Sequence, residues 1–219
     1  MPRLLFEKTG NAVWISHLDL MRLFQRAFQR GGLRLKHSQG YNPRPLVSIA
    51  LPLSVGVESH CELLDFDLEG ECPSNEQICV LLNTSLVSGV RVLAVYDDGR
   101  KLKELTYLRC AVELEYDCGI DPSGVEAIRH LFAVPSLEVT KKGKNGPVEQ
   151  DIIPMISQLE VSCRDGHTVV IEAVVCAQNP ALNPMLLASA VERYLPDLRP
   201  DFSKCRRVEV YDQNLTTFR

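Results

Sequence analysis

Three short stretches near the start of the chain carry residue types that can do chemistry. The first is Ser16-His17-Leu18-Asp19-Leu20-Met21-Arg22. Ser16 with Asp19 three residues on has the spacing of a helix N-terminal capping box. His17 takes no part in such a box. An imidazole at this place can serve as acid or base near neutral pH, with Asp19 as the second candidate catalytic group. The free N–H groups and dipole of a helix N-terminus also favour an anion. The plainer reading is that Ser16 and Asp19 only cap the helix.

The second stretch is a row of arginines. Arg22, Arg26 and Arg30 recur at i, i+4 and i+8, on one face of a helix, with Gln25 and Gln29 beside them. Arg34, Lys36, His37 and Arg44 come directly after. Like charges at this spacing cost roughly a few tenths of a kcal/mol per pair, and only Asp19 is placed within the helix to offset them. A partner bearing phosphates would relieve the repulsion, which points to RNA. The competing accounts are a solvated helix back and pairing with the acidic stretch 58–76, either within the domain or across a dimer.

The third stretch is Ser38-Gln39-Gly40-Tyr41-Asn42-Pro43-Arg44-Pro45. Gly40 permits positive φ, Asn-Pro favours a turn, and Pro43 and Pro45 stiffen the rest of the segment. A rigid loop presenting Tyr41, Asn42 and Arg44 is expected. An aromatic beside an arginine suits base stacking with a phosphate contact, and the alternative is a purely structural crossover loop. A fourth stretch, Pro52-Leu53-Ser54-Val55-Gly56-Val57-Glu58-Ser59 with Glu62, reads as a turn between strands. Glu58 and Glu62 could act as base or bind Mg2+, but no partner residue is identifiable. No metal site and no cofactor is indicated. Walker A, Rossmann, His-Glu-x-x-His and Gly-x-Ser-x-Gly patterns are all missing.

These stretches need elements to hold them. Leu4–Lys8 and Ala12–Ile15 are apolar runs around Thr9-Gly10-Asn11, which predicts a hairpin or bulged strand. A helix is expected from His17 to about Arg30, with Leu20, Phe24, Ala27 and Phe28 on its apolar face and Gly31-Gly32 ending it. Strands at about Leu46–Leu51 and Glu62–Leu68, a helix over Ser74–Leu86 and a strand over Val90–Val95 complete a β-α-β-β-α-β order. The second half repeats that order loosely. It has strands at Thr106–Tyr116, Met155–Ser162, Thr168–Val175 and Arg207–Tyr211, helices at Pro122–Phe132 and Pro184–Tyr194, and an inserted hairpin around Lys141–Gly146. The fold class expected is α+β, with two ferredoxin-like units, each an antiparallel sheet with both helices packed on one face. The boundary falls at the charged turn Asp97–Lys101, so the domains are 1–98 and 99–219.

The chain has 219 residues, enough to bury a core without metal or disulfide staples. Its net charge of −4 hides a strong asymmetry. Residues 1–50 carry +6, residues 51–98 carry −8 and the remainder −2, so the basic quarter can meet an anion. No apolar segment approaches the ~20 residues of a membrane span, and no signal peptide is visible. The eight cysteines include no Cys-x-x-Cys pair and no iron–sulfur triplet. A cytoplasmic protein with reduced, mostly buried thiols is expected.

Taken together, residues 16–22, 38–45 and 52–59 with Glu62 resemble the bacterial radical-SAM-linked domain of unknown function, most strongly over residues 3–70. That domain occurs beside, or fused to the C-terminus of, a B12-binding-type radical SAM protein. The resemblance implies such a protein as partner, carrying the cluster and the S-adenosylmethionine chemistry, and it transfers no catalytic set. A more distant similarity, in inferred fold and basic helix only, is to CRISPR repeat-processing endoribonucleases. The function expected is that of an accessory, non-catalytic protein that binds tRNA or rRNA for modification by the partner. Arg22, Arg26, Arg30, Arg34 and Lys36 would meet phosphates, and His37, Tyr41, Asn42 and Arg44 would complete the nucleic-acid site. The alternatives are a ribonuclease or transferase using His17, and a protein–protein adaptor to the radical SAM partner.

Overall fold

The computed structural model describes residues 1–70, 72–143 and 146–219, and of Lys142 the backbone alone. Two compact units emerge: Met1–Glu104 with Phe218–Arg219, and Leu105–Thr217. Both mix helices with antiparallel strands.

The first unit starts with β1 (Arg3–Lys8), in which Leu4, Phe6 and Lys8 alternate inward. The chain then departs from expectation. Gly10–Trp14 is a 3-10 turn rather than a second strand. Gly10 adopts φ +54, and the amides of Ala12 and Ile15 donate back to the carbonyls of Thr9 and Ala12 at 3.1 and 3.0 Å. The Thr9 amide donates to the Gly89 carbonyl at 2.7 Å. Gly89 sits at φ +86, and a Cβ there would stand 2.4 Å from the Thr9 carbonyl oxygen, so only glycine fits. Of this apolar run Ala12 alone is fully buried, and Trp14 is exposed.

Helix α1 (His17–Arg30) begins at Ser16, whose hydroxyl oxygen accepts the Asp19 amide at 3.2 Å. It buries Leu20, Phe24, Ala27 and Phe28, as the spacing predicts. A Cβ on Gly31 would lie 3.4 Å from the Leu81 Cβ, so this glycine lets the next helix approach. Strands β2 (Val47–Ile49) and β3 (Val57–Phe66), helix α2 (Asn75–Ser85) and strand β4 (Val90–Tyr96) come next. Strand β3 starts five residues before the sequence suggests. Its inward alternation is disguised because Ser59 and Glu62 are polar yet buried. Helix α2 opens with a full capping box of Ser74 and Gln77. All pairings are antiparallel, in the spatial order β4-β1-β3-β2. One core joins Leu4, Phe6, Leu64, Phe66, Val90 and Val92 of the strands to the buried faces of both helices. Phe6 meets Phe24 edge-on at 4.7 Å between centroids, and Phe28 meets Phe66 at 5.0 Å.

The second unit contains β5 (Tyr107–Glu115), α3 (Pro122–Leu131), β6 (Glu138–Gly143), β7 (Gly146–Asp151), β8 (Ile156–Cys163), β9 (Thr168–Cys176), α4 (Met185–Tyr194) and β10 (Phe202–Tyr211). Its four main strands are again antiparallel, in the order β10-β5-β9-β8. Strands β6 and β7 form a separate hairpin. The expected turn residues Lys144 and Asn145 lie outside the described residues. Strand β10 begins five residues before the expected Arg207, because Lys204, polar in the sequence, forms a cross-strand ion pair with Glu115. Among the described residues, no helix is long and apolar enough to cross a membrane.

Candidate nucleic-acid interface

The segment after α1 is held extended by backbone pairing on both sides. The amide of Lys36 donates to the Asp67 carbonyl at 2.9 Å, and that of Glu69 donates to the Arg34 carbonyl at 2.8 Å. The Leu46 amide donates to the Lys36 carbonyl at 2.7 Å. Residues 33–37 are thus fixed alongside α1, with Leu33 and Leu35 buried. Between them and the helix opens a cavity of about 840 Å³, lined by Arg22, Gln25, Arg26, Gln29, Arg34 and His37, with Leu33, Leu35, Gly32, Pro45 and Glu69 completing the wall. Its size falls in the range of small-molecule and nucleotide pockets.

The wall brings three guanidinium groups together against one carboxylate, that of Glu69. Arg22 is partly offset from outside the cavity by Asp19, at 3.0 Å, with both side chains more than half exposed. Asp19 also accepts the Ser16 hydroxyl at 2.7 Å. The Ser16 hydrogen bond first, and then Arg22, hold its carboxyl below the usual carboxylate range. Asp19 is therefore committed to the helix start. Among the described residues, Arg26, Arg30, Arg34 and Arg44 form no ion pair. The acidic stretch 58–76 answers only part of the basic segment: Lys36 pairs with Asp67 at 3.1 Å, and Arg3 pairs with Asp65 at 2.5 Å. Its member Glu71 lies outside the described residues.

The residues singled out from the sequence do not all meet. Arg22, Arg26, Arg34 and His37 share the cavity. Arg30 and Lys36 are exposed outside its wall. Tyr41, Asn42 and Arg44 stand in solvent on the loop 38–44. That loop is closed at its neck by the Ser38 amide on the Arg44 carbonyl at 2.8 Å and by the Arg44 amide on the Ser38 hydroxyl at 3.0 Å. His17 is half-buried at the start of α1, away from the cavity wall, and its Nδ1 is shielded from solvent with no hydrogen-bond partner among the described residues. Glu58 sits 3.1 Å from His60, while Glu62 is buried and accepts the Ser59 hydroxyl at 2.7 Å. Among the described residues, no group of three His, Cys, Asp or Glu side chains is placed to hold a metal ion.

Two features escaped the sequence. Lys8 is fully buried, and its ammonium donates to the carbonyls of Val13 and Ile15 at 3.0 and 2.9 Å, fixing the approach to α1. The signal was the period-two alternation that puts Lys8 on the face of Leu4 and Phe6. Glu69 lies in the cavity wall because β3 continues into the segment that pairs with residues 34–36, which is a tertiary fact.

Residues 2–184 match the model of a family described as an uncharacterized protein conserved in bacteria (DUF2344). The chain belongs to that family. No curated protein matches it. Among solved structures, a chain of a Cbf5-Nop10-Gar1 complex is similar, with a TM-score of 0.52 and 10% identity over 95% of this chain and 48% of that one. A chain of an archaeal box H/ACA sRNP Nop10-Cbf5 complex gives 0.46 and 9% over 94% and 46%. A chain of an H/ACA RNP bound to a substrate RNA containing 2'-deoxyuridine gives 0.49 and 8% over 94% and 46%. This member of the family spans about half the length of these three solved chains. At such identity the likeness to the Cbf5-Nop10-Gar1 chain is one of fold alone.

Proposed function

We propose that this chain is an accessory RNA-binding protein whose cationic cavity on α1 takes the phosphate backbone. The observation that carries the reading is the gathering of Arg22, Arg26 and Arg34 around one cavity with a single opposing carboxylate in its wall. Arginine forks match phosphate oxygens in geometry as well as charge. Gln25, Gln29 and His37 add neutral donors and acceptors that can reach a base or ribose. Arg30, Arg44, Tyr41 and Asn42, exposed nearby in sequence, extend the contact. Lys36 contributes after giving up its pairing with Asp67. The RNA would be tRNA or rRNA, and the partner a B12-binding-type radical SAM protein, an assignment that rests on the motif resemblance. A cytoplasmic setting accords with both. We read each unit as ferredoxin-like, supported by the β-α-β-β-α-β order and the two matching strand orders, with domains 1–98 and 99–219.

Anisotropy with labelled total tRNA tests the reading. Wild-type protein binds at low salt, and Arg26→Glu weakens binding across all sequences. Absence of affinity at low salt, or an unchanged Arg26→Glu variant, overturns it.

A second reading has one observation in its favour. The Nδ1 of His17 is shielded and lacks a protein partner among the described residues, which suits a group reserved for proton transfer in a ribonuclease or transferase. Cleavage of labelled RNA that is lost in His17→Ala would establish it, whereas RNA left intact after long incubation would remove the nuclease form.

A further inference from the structure

Trp14 is the chain's one tryptophan, and it is 64% exposed. Burial of so large an apolar ring is ordinarily favourable, so its position on the surface calls for a cause. The local structure holds it there. It ends the 3-10 turn after β1, and the Gly56 amide donates to the Val13 carbonyl at 2.9 Å, tying the 50–56 loop to that turn. Gly56 adopts φ +83, and a Cβ there would lie 3.5 Å from the Trp14 six-membered ring. The edge of the ring therefore lies beside Gly56 while most of the residue stays exposed. Lys8, buried beneath, clamps the flanking carbonyls of Val13 and Ile15. Two further apolar side chains remain exposed nearby in the chain: Leu18, 66% exposed on the first turn of α1, and Val55, 54% exposed beside Gly56.

Trp14 lies three residues before the start of α1, the helix whose later turns line the cationic cavity. Leu18, Arg22, Gln25 and Gln29 form one stripe of α1 at helical spacing, and the last three line the cavity. At 1.5 Å per residue the stripe runs about 16 Å, the reach of a few nucleotides. An aromatic ring ahead of a helix that carries a row of guanidinium groups can hold an unpaired strand, with bases on the ring and phosphates on the charges. A duplex keeps its internal base faces stacked and offers only those of its two end pairs. The adjoining cations favour this polyanion over a protein surface.

We propose that Trp14, beside Gly56, is a stacking platform for an unpaired RNA base, so that the strand entering the α1 cavity is single-stranded at this end. The inference rests on the RNA-binding reading above and specifies the form of the RNA. The test is titration of the full chain with oligoadenylate at low salt, following tryptophan emission and, in parallel, anisotropy of the labelled oligonucleotide. The same length of strand with abasic sugars and a blunt RNA duplex serve as comparisons. Emission is quenched by oligoadenylate and not by the abasic strand. Trp14→Ala weakens oligoadenylate binding by about tenfold or more, and Trp14→Phe restores most of it. Should binding occur, depend on Arg26 and yet leave emission and the Trp14→Ala affinity unchanged, the platform is overturned while the RNA-binding reading stands. Such a result would assign the patch to a protein partner. Tighter binding of the duplex than of the strand also overturns it. Failure of every RNA to bind overturns the reading beneath it.

Discussion

Among single residues, the buried polar ones define the site most sharply. Lys8 has no exposed surface, and its ammonium is spent on two carbonyls that precede α1. Lys8→Met removes this donor from two half-buried carbonyls and leaves that of Val13 with the Gly56 amide. It is expected to destabilise the protein by about 3 kcal/mol, read as a lower urea midpoint. An unchanged midpoint would show that the carbonyls find another donor. The same residue shows where sequence reading stops. Its inward position follows from alternation in β1, but its partners lie across a 3-10 turn that the apolar run 12–15 disguises as a strand. Ser59 and Glu62 hid the start of β3 for a related reason: polar residues that satisfy each other inside a strand look like a loop when read singly. Spacing at i, i+4 puts Arg22 and Arg26 on one helix face but also picks out Arg30, which lies outside the cavity wall, whereas the places of Arg34, Glu69 and Trp14 depend on pairing between distant segments.

The helix starts are sensitive to acid. Asp19 at α1, Glu76 at α2 and Asp121 at α3 all titrate below their ordinary values. The leading causes are the Ser16 hydroxyl for Asp19, its own backbone amide for Glu76, and the Gly124 amide for Asp121. A carboxylate with a depressed folded pKa stabilises the fold fully above its unfolded pKa. The contribution fades as pH drops through the folded value. The contribution of these three to the melting temperature is therefore constant above the ordinary values of 3.8 for Asp and 4.5 for Glu and is lost below them. Asp121→Asn, which keeps an accepting oxygen without the charge, lowers the melting temperature modestly at neutral pH and flattens the acid side of the profile. An acid limb identical to wild type would remove Asp121 from this role. These caps are short-range sequence patterns, which is why the helices were found to within a residue or two. The starts of β3 and β10 were not, since β10 gains its first residues from the cross-strand partner of Lys204 rather than from its own pattern.

For the whole molecule, chemistry at the thiols separates core from surface. Cys110 and Cys205 are buried on neighbouring strands. Burial raises both thiols: Cys205 is pushed up to about 12, and Cys110 higher still, helped by Cys205 beside it. Cys72, Cys118 and Cys163 are exposed. Alkylation of the native protein, read by mass spectrometry of its peptides, labels the exposed three and spares Cys110 and Cys205 until urea unfolds the chain. Native labelling of Cys205 would contradict the burial described here.

Charge is the other property of the whole, and it carries the functional claim. Although the net charge is −4, Arg26, Arg30, Arg34 and Arg44 have no carboxylate of their own among the described residues, and three arginines face one cavity. The most direct measurement is the salt dependence of oligoribonucleotide affinity for wild type and Arg26→Glu, by anisotropy. Affinity should fall linearly on logarithmic axes with a slope set by the phosphates neutralised, and the variant should bind more weakly with a slope smaller by about one. Affinity that ignores salt, or two titration series that superimpose, would contradict a phosphate-binding role for α1.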